Sequence, residues 1–188
     1  MDQTPLAAFT HRVASQGDIP AIRTLMNLAI AENMKAFLTP AEIEANRAAM
    51  GIDQTLIDDG TYFLIETEKG GNHLLVGCGG WGKRGTLYGG DHTTGRDDRL
   101  LDPSTDAARI RAMYTHPAWT RRGIGTLLLD LGENAARTAG FKAIELGSTV
   151  PGEPLYRARG YQEYARDEHP AASGGSSTVI RMRKSLLP

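Results

Sequence analysis

The segment from Arg109 to Gly147 leaves the chain little topological freedom. Arg109–Thr115 reads as a strand. It runs through His116-Pro117-Ala118-Trp119-Thr120 into the tight turn Arg121-Arg122-Gly123-Ile124-Gly125. Ile124, Leu127, Leu128, Leu131 and Ala135 then recur at helical spacing and give one apolar face, closed by Gly140. Phe141–Gly147 is a short strand anchored by Ile144 and Leu146. Strand, helix and strand in that order form a parallel crossover, which is right-handed. Hairpin signals on either side make the whole sheet mixed.

Those signals are local. Phe9–Ala14 reads as a first strand. Asp18 is placed to cap a first helix that runs to about Met34, with Pro20 in its first turn and Ile22, Leu25, Met26 and Ala29 facing inward. Thr39-Pro40-Ala41-Glu42 is a capping box, opening a helix from Pro40 to about Met50 that stops near Gly51. Thr55–Asp59 adds a helical turn. Tyr62–Glu66 and Leu74–Gly80 make a hairpin across Gly70-Gly71-Asn72. The stretch from about Lys83 to Asp106 is rich in Gly, Asp, Arg and Thr; a loop of this length is usually functional or mobile. Pro154–Arg159 is a short helix stopped by Gly160, and Tyr161–Arg166 a strand. A turn at Ser173–Ser177 leads to the last strand, Thr178–Lys184. With no internal repeat and no linker, this order predicts one mixed α/β domain over residues 1–188.

Composition removes several classes of function. A net charge of -1 argues against a general nucleic-acid binder. No apolar run approaches the ~20 residues of a membrane span. Met1-Asp2-Gln3-Thr4-Pro5 lacks the basic and apolar regions of a signal peptide. A lone cysteine, Cys78, fits a reducing compartment, so a cytoplasmic protein is expected. The histidines at 11, 73, 92, 116 and 169 have no metal-ligand spacing.

The turn at 121–125 carries the chemistry. Helix-start N–H groups, glycines that admit a ligand and two adjacent arginines point to a phosphate or pyrophosphate site. The helix end alone favours an anion by ~0.3–1 kcal/mol. Gly-x-Gly also serves ordinary tight turns, and Arg121 and Arg122 can be a solvated pair. A dinucleotide fingerprint would need three glycines near the chain start, and a P-loop would need lysine before Thr126.

Ile110-Arg111-Ala112-Met113-Tyr114-Thr115-His116-Pro117, followed by Arg121-Arg122-Gly123-Ile124-Gly125-Thr126-Leu127-Leu128, resembles the acyl-CoA-binding motif of the GNAT superfamily of acetyltransferases. The resemblance spans nearly the whole chain in element order and is specific from about Arg109 to Tyr161. Gly77-Cys78-Gly79-Gly80-Trp81, Leu87-Tyr88-Gly89-Gly90-Asp91 and Pro151-Gly152-Glu153-Pro154-Leu155-Tyr156 look like an uncharacterised bacterial branch. The family pattern Gln/Arg-x-x-Gly-x-Gly/Ala is matched at Gly123 and Gly125, while its first position falls on Thr120. The resemblance implies a mostly antiparallel sheet whose fourth and fifth strands splay apart. It implies that N–H groups of Arg121, Arg122, Gly123, Ile124, Gly125 and Thr126 hold the pyrophosphate of acetyl-CoA, with no metal. It also implies backbone pairing of the pantetheine arm around Met113, Tyr114 and Thr115. Thr149 stands where the family often has Asn.

Tyr156 in Leu-Tyr-Arg-Ala-Arg-Gly-Tyr is similar to the family's Leu-Tyr-x-x-x-Gly-Phe, which implies a proton donor to the leaving thiolate. Phenol and thiol have comparable pKa values, ~10 and ~8.5. The alternative is a buried aromatic with a satisfied hydroxyl. Glu66, Glu145, Asp91 and His116 are the candidates for a base. Cys78 is expected in the core rather than as an acyl carrier. Trp81 and Tyr88 either wall a substrate pocket or cover the sheet. Asp91, Asp97, Asp98 and Asp102 make the long loop acidic, offset by Arg96 and Arg99. The expected reaction moves an acetyl group to a primary amine of a small molecule or peptide by direct attack. Dimers are common in the family, so the resemblance makes a homodimer one expectation. The alternatives are a non-catalytic acyl-CoA sensor and a nucleotide-phosphate enzyme.

Overall fold

The computed structural model describes residues 9–172 and 174–187. The segment Met1–Pro5 and Ser173 of the predicted turn lie outside the described residues. The strands are β1 (Phe9–Val13), β2 (Tyr62–Lys69), β3 (Asn72–Gly82), β4 (Ala108–Thr115), β5 (Ala143–Ser148), β6 (Gln162–Pro170) and β7 (Ser176–Ser185). The helices are α1 (Ile19–Asn33), α2 (Pro40–Ala49), α3 (Gln54–Asp58), α4 (Ile124–Thr138) and α5 (Glu153–Ala158). They build one seven-stranded sheet in the order β1-β2-β3-β4-β5-β7-β6. Every neighbouring pair is antiparallel except β4 and β5. This is the mixed sheet that the Arg109–Gly147 crossover demanded.

Helices cover both faces. On one, Ile22, Leu25, Met26 and Ile30 of α1 pack with Leu64, Cys78 and Tyr114. On the other, Leu129 and Ala136 of α4 join Ile110, Ile144, Leu146, Ile180 and Met182, while Ile124 and Leu128 pack with Ile65, Val76 and Trp119. The Thr39–Glu42 capping box forms: Glu42 N–H donates to Thr39 Oγ1 at 3.3 Å, and Thr39 N–H donates to Glu42 Oε2 at 2.7 Å. Asp18 stands at the α1 N-cap, but its side chain makes no capping bond. Its carboxylate instead accepts from Arg12 at 2.8 and 2.9 Å and from Ser15 N–H at 2.8 Å. A guanidinium outcompetes helix N–H groups because a bidentate ionic pair is the stronger interaction.

Across the sheet, α2 docks on β7. Ser177 Oγ donates to Asn46 Oδ1 at 3.2 Å, and Asn46 Nδ2 donates to the Glu42 carbonyl at 2.8 Å. Gly175 lies so close to α2 that a Cβ there would sit 2.3 Å from the Ala41 carbonyl oxygen.

The long 83–106 segment is ordered by its own bonds rather than loose. Arg84 bridges to Leu100. Thr86 N–H donates to the Asp97 carbonyl at 2.9 Å, and Leu101 N–H to Lys83 at 2.9 Å. Among the described residues no helix is long and apolar enough to cross a membrane.

Candidate active site

The parallel ladder between β4 and β5 lasts only two registers, Ala108 with Ile144 and Arg109 with Glu145. Beyond it β4 bends away. Arg111 pairs with Gly80 and Tyr114 with Cys78, so Ala112 and Met113 together face Gly79. This is a β-bulge, and Ala112 takes a left-handed φ of 51° within it. Gly79 permits the bulge: a Cβ there would lie 2.7 Å from Met113 Cγ. Tyr62, fully packed beneath, donates from its hydroxyl to the Ala112 carbonyl at 2.7 Å and holds the bent strand. The splay between β4 and β5 is therefore a built feature of the backbone.

A cavity of about 110 Å³ opens at this split. Met113, Tyr114, Thr149 and Tyr156 line it, together with Tyr88 and Arg111. The structure thus brings four of the sequence-predicted residues together. Thr115 and Arg121–Thr126 are not in its wall. They follow the open end of β4, where Asn33 Nδ2 donates to the Thr115 carbonyl at 2.8 Å.

The turn before α4 has the backbone an anion requires. Arg121 (φ 62°) and Gly123 (φ 87°) are both left-handed. Turns of this kind gather N–H groups into a concavity. The first bond of the α4 ladder runs from Leu127 N–H to the Gly123 carbonyl at 2.9 Å. The N–H groups of Gly123, Ile124, Gly125 and Thr126 precede it and have no carbonyl partner within the helix. Arg121 and Arg122 are exposed beside them. Arg122 also stacks over Trp119, its guanidinium carbon 4.7 Å from the ring centroid. A Cβ on Gly123 would meet no atom within 4 Å. Gly123→Ala should therefore cost only backbone strain, about 1–2 kcal/mol. Urea unfolding reads that loss, and an unchanged midpoint would mean the turn is not left-handed there.

Tyr156 projects from α5 into the cavity. Its hydroxyl meets only a soft acceptor, Met113 Sδ at 3.7 Å. Burial pushes the phenol up to about 12, which keeps it protonated at neutral pH. The four base candidates lie elsewhere. Glu66 accepts from Arg12 at 3.0 Å on the β1–β2 surface. Glu145 is spent on Arg109 at 2.8 Å and Arg183 at 2.7 Å. Asp91 accepts from Gln54 N–H at 3.0 Å. His116 Nδ1 accepts from Ala118 N–H at 3.2 Å and caps a single helical turn. None of the four lines the cavity. Cys78 is buried against Tyr62, and burial pushes its thiol up to about 12, as suits a core residue. Trp81 packs edge-on against Phe141 in the core and is not a pocket wall; Tyr88 is.

Sequence reasoning missed Asp53. Its carboxylate is buried between two arginines, with Arg111 Nη2 at 2.8 Å and Arg96 Nη2 at 2.9 Å. Arg111 further donates to the carbonyls of Thr86 (2.8 Å) and Gly89 (2.7 Å), and Arg96 to Gly90 (3.1 Å). Burial lowers the Arg111 guanidinium from the ordinary arginine value, Asp53 opposing the shift. Cavity wall and long loop are thereby tied to one carboxylate. Only Arg111 in the middle of a largely buried strand hinted at it.

Among the described residues no cluster of three or more His, Cys, Asp or Glu side chains is placed to hold a metal ion.

Comparison with known proteins agrees with this fold. Residues 22–161 match the model of the acetyltransferase (GNAT) family. None of the curated proteins matches the sequence. Among solved structures, a GCN5-related N-acetyltransferase from Rhodopseudomonas palustris is similar at a TM-score of 0.66 and 17% identity, covering 98% of this chain and 99% of that one. An N-acetyltransferase from Staphylococcus aureus Mu50 gives 0.62 and 15%, over 96% and 100% of the two chains. A putative acetyltransferase from Salmonella typhimurium, solved with its cofactor acetyl-CoA, gives 0.58 and 20%, over 96% and 95%.

Proposed function

The chain belongs to the GNAT acetyltransferase family, and from that premise we propose that it transfers an acetyl group from acetyl-CoA to a primary amine of a small molecule or peptide. The observation that carries this reading is the two-register β4–β5 seam, which opens at the Ala112 bulge onto a cavity holding Tyr156. The thioester of acetyl-CoA supplies the activated acetyl group.

The residues present fit such a co-substrate. The N–H groups from Arg121 to Thr126, with the two exposed arginines, suit a pyrophosphate. The β4 edge beyond Arg109 has no β5 partner, and its backbone groups around Met113, Tyr114 and Thr115 suit the amides of an extended arm. Thr149 offers a hydroxyl across the split. Holding donor and amine together in this cavity supplies much of the acceleration.

Tyr156 donates the proton that the departing sulfur needs. Its hydroxyl has no strong partner to give up first. The burial that raises the phenol also disfavours a thiolate in the same cavity, so the two groups remain matched. We place the enzyme in the cytoplasm, as a single domain that pairs as a homodimer.

Calorimetric titration with acetyl-CoA, with CoA, NAD and ATP as controls, tests the reading. Micromolar binding shared by acetyl-CoA and CoA is expected, followed by CoA release in an amine screen. Preference for NAD or ATP would overturn it. Acetyl-CoA binding with no CoA release for any amine would make the chain an acyl-CoA sensor.

A further inference from the structure

The cavity at the β4–β5 split has a wall that offers a ligand no free charge. Among the described residues that line it there is no carboxylate, lysine or imidazole. Arg111 is the charged residue among them. Its guanidinium is already met by Asp53 Oδ2 at 2.8 Å and by the carbonyls of Thr86 and Gly89 at 2.8 and 2.7 Å. The polar groups of the wall are neutral, and several are engaged. Ser177 Oγ donates to Asn46 Oδ1 at 3.2 Å, and Asn46 Nδ2 to the Glu42 carbonyl at 2.8 Å. Tyr88 gives its proton to Asp167 Oδ2 at 2.9 Å, and Asp167 does not line the cavity. Met50, Leu87, Leu146 and Val179 supply apolar surface. Burial raises the phenols of Tyr88, Tyr114 and Tyr156 above their ordinary value, so none of them is a base at neutral pH.

Proton balance then limits the acceptor. When an amine nitrogen attacks the thioester carbonyl, a C–N bond forms, the C–S bond breaks and the electron pair leaves on sulfur. Tyr156 gives the sulfur its proton. The nitrogen must lose one proton to become an amide, and that proton restores the Tyr156 phenol, directly or through one water. The exchange closes if the amine arrives neutral. An ammonium brings one proton more, and no group in the wall takes it. Nor does any carboxylate there offset the cost of burying that cation. We propose that the acceptor is a small, weakly basic amine whose remainder carries no charge, and that it enters the cavity already deprotonated. The inference rests on the acetyl-transfer reading above. At pH 7 an amine with the pKa of a lysine side chain, ~10.4, is neutral in roughly one molecule in 2,500, against about one in six for an α-amine at ~7.7. The cavity of about 110 Å³ also holds the acetyl end of the donor, which keeps the acceptor's remainder small.

The test uses the wild-type protein with acetyl-CoA and follows CoA release. Ethylamine, 2-fluoroethylamine and 2,2-difluoroethylamine keep nearly one size, while fluorine lowers the basicity step by step. At pH 7, on total amine, kcat/KM is expected to rise at least about tenfold from the first to the third, because the gain in neutral amine outweighs the loss of nucleophilicity. For each amine kcat/KM should climb about tenfold per pH unit and level off near that amine's own pKa. Glycinamide, whose α-amine is weakly basic and whose remainder is uncharged, should exceed glycine by at least about tenfold. A preference for ethylamine, one pH limb shared by all three ethylamines, or glycine equal to glycinamide would overturn the inference while leaving acetyl transfer intact. So would a wider screen in which CoA release is confined to strongly basic or doubly charged amines. If the wild type binds acetyl-CoA yet releases no CoA with any amine, the transfer reading falls and takes this inference with it.

Discussion

Asp53→Ala should lower the unfolding free energy by about 3–5 kcal/mol, the usual cost of removing one partner from a buried ion pair. The Asp53 carboxyl is 1% exposed and Arg111 4% exposed, so water cannot replace the lost charge. The alanine would strand Arg111 and free Arg96 at once. The urea midpoint reads the loss. Proteolysis within residues 83–106 should rise in parallel, since those arginines hold the loop by its carbonyls. Arg84→Ala, which breaks a pair with Asp59 at 2.8 Å nearer the surface, should cost well under half as much. Equal losses in the two variants would show that the buried carboxylate has no special place in the fold.

Tyr156→Phe should reduce kcat by about 10²–10³-fold, the scale of a lost general acid. Binding of acetyl-CoA should change little, because the hydroxyl contacts only Met113 sulfur at 3.7 Å. The ring keeps its edge-on contact with Tyr161 at 5.9 Å, so stability should hold as well. Steady-state kinetics beside calorimetry separates the two effects. An undiminished kcat would remove Tyr156 from the chemistry and leave it as cavity lining.

The architecture was legible because it rests on local signals. The Gly123–Gly125 turn, the 3.6-residue period of α4 and Gly140 place the crossover without knowledge of distant residues. The capping box at Thr39 does the same for α2. The position of Tyr156 in the cavity followed from the family likeness and not from spacing. Side-chain partners were not legible, because they depend on residues far apart in sequence. Asp53 meets Arg111 across 58 positions of chain, and nothing near either announces the other. Asp18 was placed correctly at a helix start, but Arg12 on the neighbouring strand claims its carboxylate. The long loop read as functional or mobile because of its length. Its order comes from bonds within the segment and from Arg84, Arg96 and Arg111, whose partners only the fold brings near.

Because β4 and β5 share only two registers, the strands β1–β4 and the strands β5–β7 behave as two plates joined along one short edge. The span across their open side is set where α2 rests on β7, through Asn46 with Ser177 and the close approach of Gly175 to Ala41. That contact works as a spacer in the cavity's own wall, since Asn46 and Ser177 line it together with Tyr156. On the acetyl-transfer reading, changes in the volume of residues along it would widen or narrow the cavity beside Tyr156. On the same reading, the second helix is one place where such a chain would be retuned for a different acceptor.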